Sequence, residues 1–150
     1  MQIFTSIDDL VDAAGVHLGY SEWHDMTQEM IDRFALATGD HQWIHVDRER
    51  SAEGPFGTTI AHGYLTLSMV SMLAWEVYRV EGVRMVINYG ANRLRFPAPV
   101  PAGSRVRAGV QLQSVTERDP GLDVRTLVIV ELAASAKPAC VAECLTLVVP

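Results

Sequence analysis

Five side chains that could transfer protons or bind a metal lie close together in the segment ATGDHQWIHVDRERSA, residues 37–52: Asp40, His41, His45, Asp47 and Glu49. A carboxylate and an imidazole held near one water molecule can remove a proton from it and return that proton elsewhere, which is general acid–base chemistry. The same residue types could form a solvated loop or a metal site. The set of His41, His45 and Asp47 matches no recognised metal-ligand spacing, so we expect no metal.

Composition and charge narrow the class of protein. The chain has 150 residues, 49% of them hydrophobic, and a net charge of −6, so we expect one globular domain over residues 1–150. The acidic balance argues against a nucleic-acid-binding protein, which needs a basic face. Two cysteines, Cys140 and Cys144, are expected to be reduced and packed.

The N-terminus lacks the basic segment of a signal peptide, and the longest apolar stretch, residues 63–80, contains Ser, Thr, Glu and Arg. That stretch is a poor candidate for a membrane span. We therefore expect a cytoplasmic protein without membrane insertion.

Periodicity predicts the elements that must position the polar segment. Helices are predicted at 6–14 and from a Thr27 cap to Gly39, an edge strand within 16–26, and a long buried helix at 63–80, which is apolar around most of its circumference. Loops are predicted for the polar segment and for residues 51–62. Alternating residues then predict four strands, at 83–96, 104–117, 122–135 and 139–149.

One long helix followed by antiparallel strands indicates an α+β fold, in which a five-stranded antiparallel sheet wraps around the long central helix. Such a sheet has open edges, and strand pairing between two chains would cover one of them.

Two segments carry a resemblance to a known family. TGDHQWIH followed by VDRERSA resembles the signature of the MaoC-like, (R)-specific enoyl-CoA hydratases, which have the hot-dog fold. The signature positions here are Gly39, Asp40, His45 and either Ser51 or Ala52. GPFGTTIAHGYLTLSMVS and RFPAPVPAGSRVR match further family segments. The resemblance covers nearly the whole chain and is especially close to short single-domain mycobacterial-type members.

The chain departs from the family at one place. Gln42 and Trp43 stand where the wider family has Asn-Pro. Gln offers the same amide chemistry on a longer arm, while losing Pro removes a backbone restraint that Trp could replace by packing.

The resemblance implies the syn addition of water to a trans-2-enoyl-CoA, giving an (R)-3-hydroxyacyl-CoA. It assigns water activation to Asp40 and His45, stabilisation of the thioester oxyanion to the Gly63 N–H, and support of Asp40 to Ser71. It implies an acyl-CoA thioester substrate, no cofactor apart from the coenzyme A of that substrate, and a homodimer. The substrate-binding residues that it implies are Ile60, Ala61, His62, Gly63, Val86, Ile87, Asn88 and Tyr89. The residues themselves favour a packing or capping role for His62.

Two other functions stay open at this stage. An acyl-CoA thioesterase on the same fold would release free thiol from a saturated acyl-CoA. A non-catalytic acyl-CoA-binding module would bind tightly without turnover. The sequence does not specify the acyl length or the pathway.

Overall fold

The computed structural model describes residues 1–150 and contains five helices and eight strands. The helices are α1 Ile7–Asp12, α2 Gln28–Thr38, α3 Trp43–Val46, α4 Arg48–Ala52 and α5 Gly63–Val77. The strands are β1 Gln2–Phe4, β2 His17–Tyr20, β3 His24–Met26, β4 Tyr78–Val80, β5 Met85–Arg95, β6 Ser104–Arg118, β7 Gly121–Leu132 and β8 Cys140–Val149.

The main sheet is antiparallel and has the strand order β2-β6-β7-β8-β5, while β3 also pairs with β6. The predicted α+β fold is therefore confirmed, with five strands side by side in the main sheet and β3 beside β2 on the same edge. The predicted edge strand at 16–26 is divided into β2 and β3, which occupy the same edge of β6. Strand β5 lies at the opposite edge of the sheet.

Helix α5 packs against β2, β6, β7 and β8 and forms the centre of the hydrophobic core. Its buried side chains recur every three or four residues, and Leu73 is fully buried. Truncating a leucine in such a position costs about 2–5 kcal/mol.

The other face of α5 corrects the prediction that this helix is buried on most sides. In the single chain Tyr64, Met72 and Trp75 are 67%, 42% and 66% exposed. These residues recur at helical spacing, so they form an apolar stripe opposite the core.

The long helix also ends earlier than predicted. Tyr78 has extended dihedral angles, and residues 78–80 form β4, which pairs in parallel with β1. A continuous apolar run does not distinguish the end of a buried helix from a short strand that follows it, which is why the sequence did not separate them.

The polar segment is not the predicted loop. Thr27 caps the start of α2, where its side chain accepts from the Met30 N–H, and Gly39 caps the end of the helix in the left-handed conformation. Two short helices, α3 and α4, then follow. Asp47 lies between α3 and α4, and its carboxylate caps α4 by accepting from the Arg50 N–H at 3.0 Å. Helices this short lack the apolar period by which helices are recognised.

The two cysteines lie in β8, where both thiols are free, Cys140 buried and Cys144 half-buried. Burial raises the pKa of Cys140 to about 12 and that of Cys144 to about 11, so both stay protonated at neutral pH. None of the helices has the length and apolar character needed to cross a membrane.

Candidate active site

His45 lies in α3 and is held at both its ring and its backbone. Its Nδ1 is 2.7 Å from the carbonyl oxygen of Ile60. Because a carbonyl only accepts, Nδ1 carries the hydrogen and Nε2 keeps a free lone pair, which makes it a base. Its main-chain oxygen accepts from the Gln28 side-chain amide at 2.8 Å, and the Gln28 carbonyl oxygen accepts from the Thr59 hydroxyl. The two contacts of the Gln28 side chain were not predicted from the sequence.

Burial lowers the pKa of His45 below its ordinary value. The hydrogen bond with Ile60 and the charge of Asp40 oppose this effect, whereas nearby His62 adds to it. The imidazole is therefore mainly neutral at pH 7, which is the form that a general base requires.

Asp40 follows the left-handed Gly39 at the end of α2, and its side chain is exposed. Its backbone N–H donates to the Thr38 hydroxyl at 3.4 Å, and its carboxylate accepts from the Gln42 N–H at 3.3 Å. One polar atom from each of Asp40, His45 and His62 lies within 4.8 Å of the others. The structure thus brings the predicted carboxylate and imidazole together.

His62 is a third member of this cluster. Its Nε2 is 3.0 Å from the main-chain oxygen of Asp40, and its ring stacks on that of His45, with centroids 3.8 Å apart and planes inclined by 25°. Its Nδ1 is buried without a hydrogen-bond partner in the chain. His62 makes no side-chain cap for α5, so of the two roles considered from the sequence, packing is observed and capping is not. The family resemblance had placed His62 among the substrate-binding residues, but the sequence did not indicate its contacts with Asp40 and His45.

The same geometry bears on metal binding. The cluster differs from the set of His41, His45 and Asp47 considered from the sequence. The lone pairs of an imidazole lie in the ring plane, so two rings stacked face to face direct theirs side by side and not toward one point. The arrangement suits proton transfer better than shared coordination of an ion.

Gly63 begins α5, and its N–H has no intramolecular partner, as expected for the first residue of a helix. A Cβ at this position would lie 2.8 Å from the ring of Phe96, so the glycine permits this close packing. Gly63 and Phe96 line a cavity of about 300 Å³ together with His45, Ile60 and Ala61. Phe96 was not among the residues expected at the site.

A second and larger cavity, of about 510 Å³, lies between later turns of α5 and strand β5. It is lined by Ser71 and by three of the four predicted strand residues, Val86, Asn88 and Tyr89. Ile87 lines neither cavity, since it lies between Val86 and Asn88 on the strand and points to the opposite face. Asn88 and Tyr89 both line the larger cavity because the register of β5 is irregular between Asn88 and Gly90. The Ser71 hydroxyl accepts from the Asn88 amide at 3.0 Å and has no contact with Asp40 in this chain.

Trp43 occupies the position where the wider family has Pro, and its packing restrains the start of α3. It is the first residue of α3, a position where proline is favoured. Its ring packs closely on Gly54, and the Arg50 guanidinium lies 4.4 Å from the ring centroid. Ser51 is buried and donates to the Trp43 carbonyl at 3.1 Å, whereas Ala52 is exposed. Its burial and this hydrogen bond favour Ser51 over Ala52 as the small residue of the signature.

Comparisons with known proteins identify the family of the chain. Residues 9–133 match the family model of the MaoC like domain. The chain is 56% identical over 144 residues to 3-hydroxyacyl-thioester dehydratase Z of Mycobacterium tuberculosis. The aligned residues cover 95% of this chain and 95% of that protein.

Two solved structures are similar to the chain. The R-hydratase PhaJ1 from Pseudomonas aeruginosa has a TM-score of 0.69 and 25% identity, with 85% of this chain and 77% of that one covered. A MaoC-like dehydratase from Rhodospirillum rubrum, at 19% identity, shares the fold with a TM-score of 0.74 over 96% of this chain and 97% of the other. The predicted hot-dog fold and family are confirmed, and the chain belongs to the MaoC-like dehydratases, which are hydro-lyases.

Proposed function

We propose that the protein is an (R)-specific enoyl-CoA hydratase, which adds water to a trans-2-enoyl-CoA and, in reverse, dehydrates an (R)-3-hydroxyacyl-CoA. The observation that carries this proposal is the convergence of Asp40 with a neutral His45 whose Nε2 is free. His45 lines the same cavity as Gly63, at the start of α5. The similarity to a 3-hydroxyacyl-thioester dehydratase supports the same reaction type.

The proposed mechanism uses one water molecule held by both side chains. Nε2 of His45 accepts a proton from the water while Asp40 accepts its second hydrogen bond and orients it. The hydroxide bonds to C3 of the substrate, and the electron pair of the double bond moves through C2 to the thioester oxygen. The proton then returns from the acid–base pair to C2. Since both additions come from one water site, they occur on one face of the substrate.

The charge that develops on the thioester oxygen needs a hydrogen-bond donor. The free Gly63 N–H, with the dipole of α5 behind it, is the proposed donor. Removal of one such donor typically costs about 10²- to 10³-fold in rate. Hydration transfers no electrons and no group other than water, so the proposal requires no cofactor apart from the coenzyme A carried by the substrate.

The substrate-binding proposal combines the two cavities along α5. Ile60, Ala61 and Gly63 would surround the thioester, with His62 behind them. The larger, mainly apolar cavity beside β5 would receive the acyl chain against Val86, Asn88 and Tyr89. Ile87 belongs to this proposal only as part of the same strand, since its side chain lies outside both cavities. The expected support of Asp40 by Ser71 stays a prediction.

The proposed homodimer rests on two exposed features of the single chain. Strand β5 is an edge strand and is exposed along almost its whole length. The apolar stripe of α5, formed by Tyr64, Met72 and Trp75, is also uncovered. Edge pairing with a second copy would satisfy the strand and could cover the stripe. Light scattering after size-exclusion chromatography should give twice the chain mass, and a monomer at micromolar concentration would contradict the proposal.

The test of function follows the loss of ultraviolet absorption when a short trans-2-enoyl-CoA is hydrated. We expect turnover by the native protein, an (R)-3-hydroxy product on chiral analysis, and near-complete loss of activity in Asp40→Asn. Free thiol released from a saturated acyl-CoA, measured with a thiol reagent and without hydration, would identify a thioesterase instead. Tight acyl-CoA binding without turnover would identify a non-catalytic module.

A further inference from the structure

His62 contacts both proposed catalytic residues and also adjoins the proposed oxyanion donor. Its ring stacks on His45, its Nε2 bonds the backbone of Asp40, and Gly63 follows it in the chain. Phe34 of α2 packs on the same ring, with centroids 5.0 Å apart. His62 is only 3% exposed, so this arrangement is well enclosed by the protein.

The hydrogen bond to Asp40 defines which nitrogen of His62 carries a hydrogen. The Asp40 carbonyl oxygen only accepts, so Nε2 is the donor and, in the neutral ring, Nδ1 holds a lone pair. That Nδ1 is buried and has no partner in the chain. A buried polar atom without a partner is unfavourable, and a phenyl ring of similar size would avoid this cost. Packing alone therefore does not account for an imidazole at this position.

Asp40 needs a restraint from outside its own segment. It lies beyond the end of α2, and its two local hydrogen bonds, with Thr38 and Gln42, are 3.4 and 3.3 Å long. The bond from His62 is shorter, at 3.0 Å, and it connects residue 40 to the start of α5. It is the contact that joins the Asp40 backbone to a different part of the fold.

We propose that His62 is a positioning residue that sets the separation of the Asp40 carboxylate from the His45 imidazole through its Nε2–H bond to the Asp40 backbone. The ring stack holds His62 against His45 while the hydrogen bond holds Asp40 to His62. This inference rests on the proposed function, because it assigns to His62 the geometry of that same pair. Misplacement of reacting groups by about 1 Å can cost roughly 10²-fold in rate.

Two substitutions separate the hydrogen bond from the packing. His62→Phe keeps an aromatic ring and removes the donor, whereas His62→Gln places an amide N–H at about the reach of Nε2. We expect His62→Phe to lower kcat by about 10- to 10²-fold with little change in KM. We expect His62→Gln to restore kcat to within a few-fold of the native value. Phe34→Leu is the matched control, since it disturbs the aromatic packing on the His62 ring and leaves the donor in place.

A second readout does not depend on turnover. In ¹⁵N relaxation measurements on each folded variant, we expect greater mobility of the amides of residues 40–42 in His62→Phe and native mobility in His62→Gln. Unchanged kcat and unchanged mobility in a folded His62→Phe protein would overturn the proposal, as would equal losses in the Phe and Gln variants. If the native protein turned over no enoyl-CoA while the amides responded as expected, the proposed function would fail and the positioning contact would stand.

Discussion

The two ends of α5 present different kinds of surface. At its start, Asp40, His45 and His62 are drawn together by hydrogen bonds and ring stacking within one chain. Along its later turns, Ser71 faces the exposed strand β5, where its contact is a single hydrogen bond with Asn88. The first region is held together by contacts within one chain, whereas the second is a cavity beside a strand that is exposed in the single chain. Under the proposed function, the first region would carry out the chemistry and the second would accommodate the substrate.

The largest effect should come from the acid–base pair. We expect Asp40→Asn and His45→Gln each to lower kcat by about 10²- to 10⁴-fold, because each removes one group that handles the water. Hydration assays should show this, with circular dichroism and thermal unfolding confirming that both variants fold. Native activity in either folded variant would contradict the proposed role of that residue. It would also contradict the proposal that the chemistry takes place at the start of α5.

Gly63→Ala should have the next largest effect. The added Cβ would lie 2.8 Å from the Phe96 ring, so either the ring or the start of α5 must move. Overpacking of this kind costs about 1–3 kcal/mol of stability, and a displaced oxyanion donor should lower kcat by roughly 10- to 10²-fold. Combining it with Phe96→Ala should recover part of both losses in a double-mutant cycle, whereas strictly additive losses would show that the clash is not the cause.

The pH dependence should show a smaller effect. The pKa of His45 in the folded protein lies below its ordinary value of 6.5, so the base stays neutral at pH values where an ordinary histidine gains a proton. We expect the acid limb of kcat/KM for enoyl-CoA hydration to be centred below pH 6.5, the value at which an ordinary histidine base would lose about half of its activity. An acid limb centred above pH 6.5 would contradict the buried, neutral imidazole.

The same shift affects stability. Between the folded and unfolded pKa values of His45, the unfolded chain binds more protons, so the free energy of unfolding rises with pH in that window. The contribution of His45 to stability should therefore be lost as the pH falls below 6.5 and through the folded pKa. Urea unfolding at several pH values should show a weaker acid dependence in His45→Gln than in the native protein.

Ser71→Ala should have the smallest effect. It removes a solvent-exposed hydrogen bond with Asn88, and such a bond typically contributes about 0.5–1.5 kcal/mol to stability. If this bond is the whole role of Ser71, kcat should stay within error of the native value. Asn88→Ala is the matched control for the same bond. A loss of kcat in Ser71→Ala that Asn88→Ala does not reproduce would instead support the role for Ser71 that the family resemblance implies.

The sequence determined the parts of the protein that depend on local patterns. Caps at Ser6 and Thr27, the left-handed Gly39 and the alternation in β5 to β8 each left a clear signal, because each depends on residues near one another in the chain. The family, and with it the pair of Asp40 and His45, was indicated by the resemblance that TGDHQWIH and GPFGTTIAHGYLTLSMVS carry.

The tertiary structure decided what depends on contacts between distant segments. Whether α5 is buried on all sides, where it gives way to β4, and which predicted residues share a cavity were set by packing against the sheet. The position of His62 was decided in the same way. Its hydrogen bond to Asp40 spans 22 residues, and neither this bond nor its stack on His45 follows from a helical or strand period. Local propensity does not predict such contacts, because they form and stabilise the fold only after the intervening chain has closed into a loop.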